Sequence, residues 1–420
     1  MQLLHLIGTA LSAAAIVAAS PLNGGSQAIR VGREQAMMKR TSAIAPKVFI
    51  ISMFDPENEV WYGIPEFDIL AHNITIAGLS PLYESIHCTY DYEICTVITG
   101  ESEINAASTI TALTLSSEFD LTKTYFMVAG IAGISPKVGT LGSVTFARYA
   151  IQVALQYEFD MRDLSSNWTT GYVPLGSTLP SEYPSSIYGT EVFEVNDALK
   201  KLAVGFAKTA TLNDSAEAVV YRAHYSKNSS LYAAATVAPN VLECDAATSD
   251  VYYSGTLLSE SFDNFTTMMT NGTGVYCTTA QEDNATLEAL LRAAIWKLVD
   301  FSRIIIMRTA SDFDRPYPGE DATTNLFWAD QGGFEPAIQN IYLAGVKVVE
   351  GIIDNWNSTF EKGVNATNYI GDIFGSLGGE PDFGPGSEFD NTGVVVKRGL
   401  LGRKGRKVQA VRRRGGGVRL

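Results

Sequence analysis

Five stretches of this chain, residues 47–51, 93–99, 125–128, 141–155 and 303–307, are short, almost continuously apolar and rich in Val, Ile and Phe. A strand with one wet face alternates apolar and polar residues, whereas a strand covered on both faces does not. These runs therefore demand a sheet buried from both sides, and no other feature narrows the fold as much. The run 141–155 is too long for one ordinary strand and is expected to break inside. Between the runs, residues 103–116, 195–208, 285–299 and 336–356 carry helical patterns. The last repeats apolar residues at Ile338, Tyr342, Val346, Val349 and Ile353, near helix spacing. Alternating strands and helices imply a largely parallel sheet with helices on both faces. The expected fold class is α/β, a three-layer α/β/α sandwich with a central mixed sheet. The Ser/Thr/Asn-rich stretch 226–271 reads as a long insertion.

Both ends stand apart. Residues 3–19 form an apolar run that closes on Val17-Ala18-Ala19-Ser20, the exit pattern of a secretory signal peptide, although Met1-Gln2 lack the usual positive charge. Residues 1–20 are read as that signal, 21–40 as a pro-segment or linker closing at the dibasic pair Lys39-Arg40, and 41–380 as the folded domain. Residues 397–420 hold ten Lys/Arg and no acid, the composition of a disordered basic tail. Without the two ends, residues 41–396 carry 17 Lys/Arg against 44 Asp/Glu, a formal charge of −27. So acidic a body argues against nucleic acid as a partner.

Nine Asn-x-Ser/Thr sequons, at Asn73, Asn167, Asn213, Asn228, Asn264, Asn271, Asn284, Asn357 and Asn365, suggest a glycosylated chain. All four cysteines lie beyond residue 40, as suits a compartment where disulfides persist. Four cysteines allow three connectivities. Cys88 and Cys95 flank a Tyr-Asp-Tyr turn and are placed to staple a hairpin, which leaves Cys244 to pair with Cys277. The expected location is secreted or cell wall. No segment after residue 40 offers 18 continuous apolar residues, so no membrane-spanning helix is expected there.

The chemistry is narrowed by what is missing. Beyond residue 40 the histidines are His72, His87 and His224, none in a paired ligand spacing, and there is no Gly-x-Ser-x-Gly. Phosphate loops of the Walker or Rossmann type are also absent, so neither metal nor cofactor is expected. Open α/β sheets hold ligands at the carboxyl ends of their strands, and four such ends stand out. They are Ser52-Met53-Phe54-Asp55-Pro56-Glu57-Asn58-Glu59, Thr99-Gly100-Glu101-Ser102-Glu103, Ala129-Gly130-Ile131-Ala132-Gly133-Ile134-Ser135 and Arg308-Thr309-Ala310-Ser311-Asp312.

These motifs carry a resemblance. Gly130-x-Ala132-Gly133, followed by Val138-Gly139 and Gly142-Ser143-Val144, is similar to the nucleoside phosphorylase and nucleosidase superfamily, as is Arg308-x-x-Ser311-Asp312. Tyr157-Glu158-Phe159-Asp160-Met161-Arg162 and Gln281-Glu282-Asp283-Asn284-Ala285-Thr286 resemble the fungal purine nucleoside permeases within it. The likeness spans about residues 45–375 and implies a nucleoside phosphorylase-like fold with purine nucleosides as small-molecule partners. It implies that Asp312 protonates purine N7, with Ser311 and Arg308 beside it. Glu282, with Asp283 as the adjacent contender, is implied to hold the ribose hydroxyls, and Gly130, Ala132 and Gly133 to line the base. Asn284 would adjoin them, but its sequon and a closed pocket exclude each other. Glu59, followed by Val60, matches the slot where nucleosidases place a water-activating glutamate. The first loop lacks the arginine with which phosphorylases grip phosphate, which favours hydrolysis. Plainer roles stay open, including Asp312 as a turn cap and Glu282 as an acid on a helix dipole.

Three readings follow. The chain is an extracellular purine nucleosidase, or a non-catalytic nucleoside-binding accessory to a separate membrane transporter, or a glycoprotein whose pocket has decayed. Glu59 is the residue expected to separate the first two.

Overall fold

A computed structural model describes residues 43–227 and 230–387. The expected signal, pro-segment, basic tail and the sequon at Asn228 lie outside those residues. The chain divides between Ala43 and Ile44, and every element below belongs to the unit that begins at Ile44.

The core strands are β1 (Val48–Ser52), β2 (Ile94–Ile98), β3 (Tyr125–Ile134), β4 (Val144–Ala147), β5 (Tyr149–Gln152), β6 (Asp245–Thr248), β7 (Tyr276–Ala280) and β8 (Ile304–Phe313). The main helices are α1 (Glu103–Leu115), α2 (Asp197–Ala207), α3 (Asp283–Ile295) and α4 (Phe334–Asp354). β1 runs parallel to β2 on one side and β3 on the other, and β8 lies parallel to β3. Their side chains divide by strict alternation. Phe49, Ile51, Phe126, Val128, Ile304 and Ile306 pack into one core with Ile110 and Leu113 of α1 and Leu287 and Leu290 of α3. Val48, Ile50, Tyr125, Met127, Ile305 and Met307 enter a second core with Leu199 and Val204 of α2 and Ile341 and Val349 of α4. Two apolar faces explain why these strands show no polar alternation, and they produce the three layers.

The sheet is mixed because β4 is antiparallel to β8 and β7 antiparallel to β3. β6 runs between β5 and β7, parallel to both. The run 141–155 breaks at Arg148, as anticipated. One buried carboxylate fixes the break: Asp245 Oδ1 accepts the N–H groups of Arg148 at 2.9 Å and Tyr149 at 2.8 Å, while its Oδ2 accepts that of Val275 at 2.8 Å. The pairings then close a circuit, from β3 through β8, β4–β5, β6 and β7 back to β3.

Two expectations need correction. The runs 125–128 and 303–307 continue to Ile134 and Phe313, so the glycine-rich and Arg-x-x-Ser-Asp motifs are strand, not strand-end loop. Their outer halves pair with each other, and β4 and β7 pair on either side, which holds small residues extended where no side chain would. Residues 226–271 are not an insertion, since they supply β6 to the sheet and the helix Thr256–Met269. Asp245-Ala246-Ala247-Thr248 has a single β-branched residue, Thr248, beside an Asp and two Ala, and its fully buried position between two partners overrides that weak propensity.

Both expected disulfides form. Cys88–Cys95 staples two antiparallel strands, and Cys244–Cys277 ties the residue before β6 to β7. Six sequon asparagines are exposed (Asn73, Asn167, Asn264, Asn271, Asn357 and Asn365). Asn284 is not available: it is 2 % exposed, its Oδ1 accepts from the Thr248 hydroxyl at 2.6 Å and its Nδ2 donates to the Thr190 carbonyl at 2.8 Å.

Candidate active site

A cleft of about 660 Å³, open mouth included, lies over the outer halves of β3 and β8. Its walls come from the turn after β1 (Met53, Phe54, Glu57), the turn after β2 (Glu101), β3 (Ile131, Ala132, Gly133), the segment after β6 (Ser249, Tyr252) and β7 with the entry to α3 (Thr279, Gln281, Glu282). β8 contributes Arg308, Ser311 and Asp312. Consecutive residues of a regular strand face opposite ways, yet Ser311 and Asp312 both reach this cleft. The register of β8 against β3 slips between Ala310 and Asp312, a bulge that turns Ser311 and re-aims its neighbour.

Arg308 organises one end. It is 1 % exposed, and every nitrogen of its guanidinium is engaged. Nε and Nη2 donate to Asp283 at 3.3 and 2.9 Å, Nη2 also to Glu282 Oε2 at 3.0 Å, and Nη1 to the Ile131 carbonyl at 3.1 Å. Burial works against its charge, but Asp283, Glu282 and Glu57 together outweigh that and raise its pKa. Asp283 is fully buried and does not line the cleft; it anchors the arginine. Glu282 stands at the N-cap of α3 but makes no capping bond. Its Oε1 accepts the N–H of Ser102 at 2.9 Å and its other oxygen meets Arg308, so it has partners beyond the helix N-terminus. Burial raises its pKa, opposed by Arg308.

The glutamate expected from the first loop is corrected by two residues, about half a helical turn. Glu59 is exposed and outside the cleft, whereas Glu57 is 1 % exposed and lines it. Pro56 opens a short helix, Asp55–Glu59, and residues two apart on a helix face different ways. The spacing Met53, Glu57, Trp61 put Glu57 on the buried side, and both apolar members of that stripe are indeed in the core. Glu57 accepts the N–H of Met53 with Oε2 and that of Ile131 with Oε1, each at 2.7 Å. Burial pushes its carboxyl up to about 8, against the pull of Arg308 and the two backbone donors, with Glu282 adding to the rise. Gly130 does not touch the cleft. A Cβ there would lie 2.6 Å from Glu57 Oε1 and 2.8 Å from Arg308 Nη1, so glycine is what lets these two groups meet the strand.

Asp312 occupies the other end. Ser311 Oγ donates to its Oδ1 at 2.7 Å and to the Ala132 carbonyl at 3.1 Å. Burial lifts the carboxyl to about 6; the Ser311 and Tyr252 hydroxyls oppose the rise and Asp314 adds to it. It sits within a strand, so it caps no turn. Ala132 and Gly133 line the floor beside it, and a Cβ at Gly133 would reach 2.3 Å from Thr279 Oγ1. Asn284 is absent from the walls, held instead between α3 and the Thr190–Glu191 backbone. Sequence reasoning missed Glu57, Tyr252 and Ser102; only Glu57 carried a periodic signal.

Fold and cleft together define an α/β protein with three raised carboxyls, Glu57, Glu282 and Asp312, facing one pocket, built on the extended outer halves of two paired strands. The chain belongs to the purine nucleoside permease family, whose model matches residues 45–365. A purine nucleoside permease of Candida albicans is 49 % identical over 345 residues, covering 81 % of this chain and 83 % of the relative. A probable purine nucleoside permease of Schizosaccharomyces pombe is 40 % identical over 335 residues, 78 % of this chain and 94 % of the relative. Among solved structures, the 5′-methylthioadenosine/S-adenosylhomocysteine nucleosidase of Neisseria meningitidis has a TM-score of 0.41 at 14 % identity, covering 74 % of this chain and 99 % of its own. The futalosine hydrolase of Helicobacter pylori has a TM-score of 0.43 at 14 % identity, over 74 % and 98 %.

Proposed function

We propose that this protein cleaves the N-glycosidic bond of purine nucleosides with water. The observation that carries the reading is the pairing of Asp312 and Glu57 across one cleft with an arginine that is already committed. Asp312, whose pKa lies near neutrality, donates its proton to purine N7. The C1′–N9 bond breaks with its electron pair passing to the base. Glu57, fixed by two backbone N–H groups, takes a proton from water as that water adds to C1′. Glu282 accepts the ribose hydroxyls and, with Glu57, favours the positive charge that develops on the sugar.

Hydrolysis is preferred over phosphorolysis on electrostatic grounds. Arg308 is the one Lys or Arg among the described residues lining the cleft, and four of its five N–H donors are taken by Asp283, Glu282 and Ile131. Glu57, Glu101, Glu282 and Asp312 surround the remaining space, and whichever of them are ionised add negative charge that disfavours phosphate. The test incubates purified protein with adenosine, inosine and guanosine, with and without phosphate. Free base in phosphate-free buffer is the expected result, and base release only with phosphate would contradict the scheme.

A second reading is favoured by the relatives' name. No described helix is long and apolar enough to cross a membrane, so a role in uptake would make this chain a nucleoside binder that serves a separate membrane transporter. Tight binding without base release would select it.

A further inference from the structure

We propose that Ser102 is a positioning residue that aims Glu282 at the ribose end of the cleft, and that its backbone conformation is the means. The inference rests on the ribose-holding role just given to Glu282. Ser102 has φ 81° and ψ 158°, a region essentially reserved for glycine. From that conformation its N–H points at Glu282 Oε1, 2.9 Å away. Its hydroxyl donates to Asp250 Oδ1 at 2.8 Å, and the N–H of Glu103, the first residue of α1, reaches the same oxygen at 2.8 Å. Asp250 lies between Ser249 and Val251, both on the cleft wall, and its carbonyl accepts from Gln281 Nε2 at 3.2 Å.

The serine hydroxyl accounts for a side chain in a glycine conformation. Glycine would enter this conformation freely and leave it as freely. Serine is fastened there, because its hydroxyl grips Asp250 while its N–H grips Glu282. Release of the hydroxyl lets an L-residue relax to negative φ, which swings the N–H away and leaves Glu282 on Arg308 alone. The same clasp joins the turn after β2 to the segment after β6, two walls of the cleft that no strand pairing connects.

The test compares adenosine with 2′,3′-dideoxyadenosine, because a device acting through Glu282 on the ribose hydroxyls cannot act on a sugar that lacks them. Full-length wild type, S102A and S102G are assayed for kcat/KM on both, with melting curves in parallel. Wild type is expected to prefer adenosine. S102A still finds positive φ unfavourable and has lost the anchor, so it relaxes to negative φ and is expected to lose at least about tenfold of that preference, the scale of one hydrogen bond to a charged group. S102G tolerates the conformation and lowers kcat/KM on both nucleosides alike, with the preference kept within about threefold. Asp250→Ala removes the anchor from the other side and should match S102A, which keeps the question open to test if S102A fails to fold. An undiminished preference in S102A, or equal losses in S102A and S102G, would overturn the proposal. A wild type that treats the two nucleosides alike would instead overturn the ribose role of Glu282, and this inference with it.

Discussion

Glu57 and Asp312 hold their protons in an unusual order. Burial raises Glu57 to about 8 and Asp312 to about 6, so between those values the pair keeps one proton, mostly on Glu57. The productive form has that proton on Asp312 and a charged Glu57, and it is the minority form of the singly protonated pair. Below pH 6 both carboxyls are protonated and no charged Glu57 is left, and above pH 8 the single proton leaves. The kcat/KM profile is therefore expected to be bell-shaped with limbs near pH 6 and 8 and a maximum near 7. A flat profile from pH 5 to 9 would contradict the assignment. Asp312→Asn should lower kcat by at least about 10²-fold with the melting temperature little changed, the scale of losing a general acid. Asp312 was legible in the sequence because Arg308-x-x-Ser311-Asp312 carries its own pattern. Glu57 was not, because Glu59 two residues on fits the same motif, and only the direction of a one-turn helix tells them apart.

Elements that the sequence made visible are those whose side chains are large. The unbroken apolar run through Val48, Phe49, Ile50 and Ile51 marks a strand between two cores, and the structure divides these residues alternately between them. β6 and the outer halves of β3 and β8 are rich in Gly, Ala, Ser and Thr and hold no long apolar run, and their pairing partners make them strands. These quiet segments form the cleft, since a ligand can approach a backbone only where side chains are small. The two disulfides bind the arrangement at different ranges, 7 residues apart for Cys88–Cys95 and 33 for Cys244–Cys277. Chain entropy then gives about 2 kcal/mol for the first bridge and about 4 kcal/mol for the second. Replacing both cysteines of each pair by serine should lower stability in that order in denaturant melts. The reverse order would mean that the Cys244–Cys277 link constrains the unfolded chain less than its span requires.

At the scale of the whole molecule, charge and site agree. A body of net charge −27 encloses a cleft lined by four carboxylates and one neutralised arginine, a poor host for phosphate and a fair one for a sugar that turns cationic. Asn284, the buried sequon outside the cleft, has a structural task instead, held on Thr248 and the Thr190 carbonyl. The central claim is that water is the nucleophile. Its most direct test is to turn over adenosine in phosphate-free buffer made with ¹⁸O-labelled water and weigh the sugar product promptly. The account predicts free adenine and ribose carrying one ¹⁸O at C1′. No release without phosphate, with ribose 1-phosphate formed once phosphate is added, would contradict it.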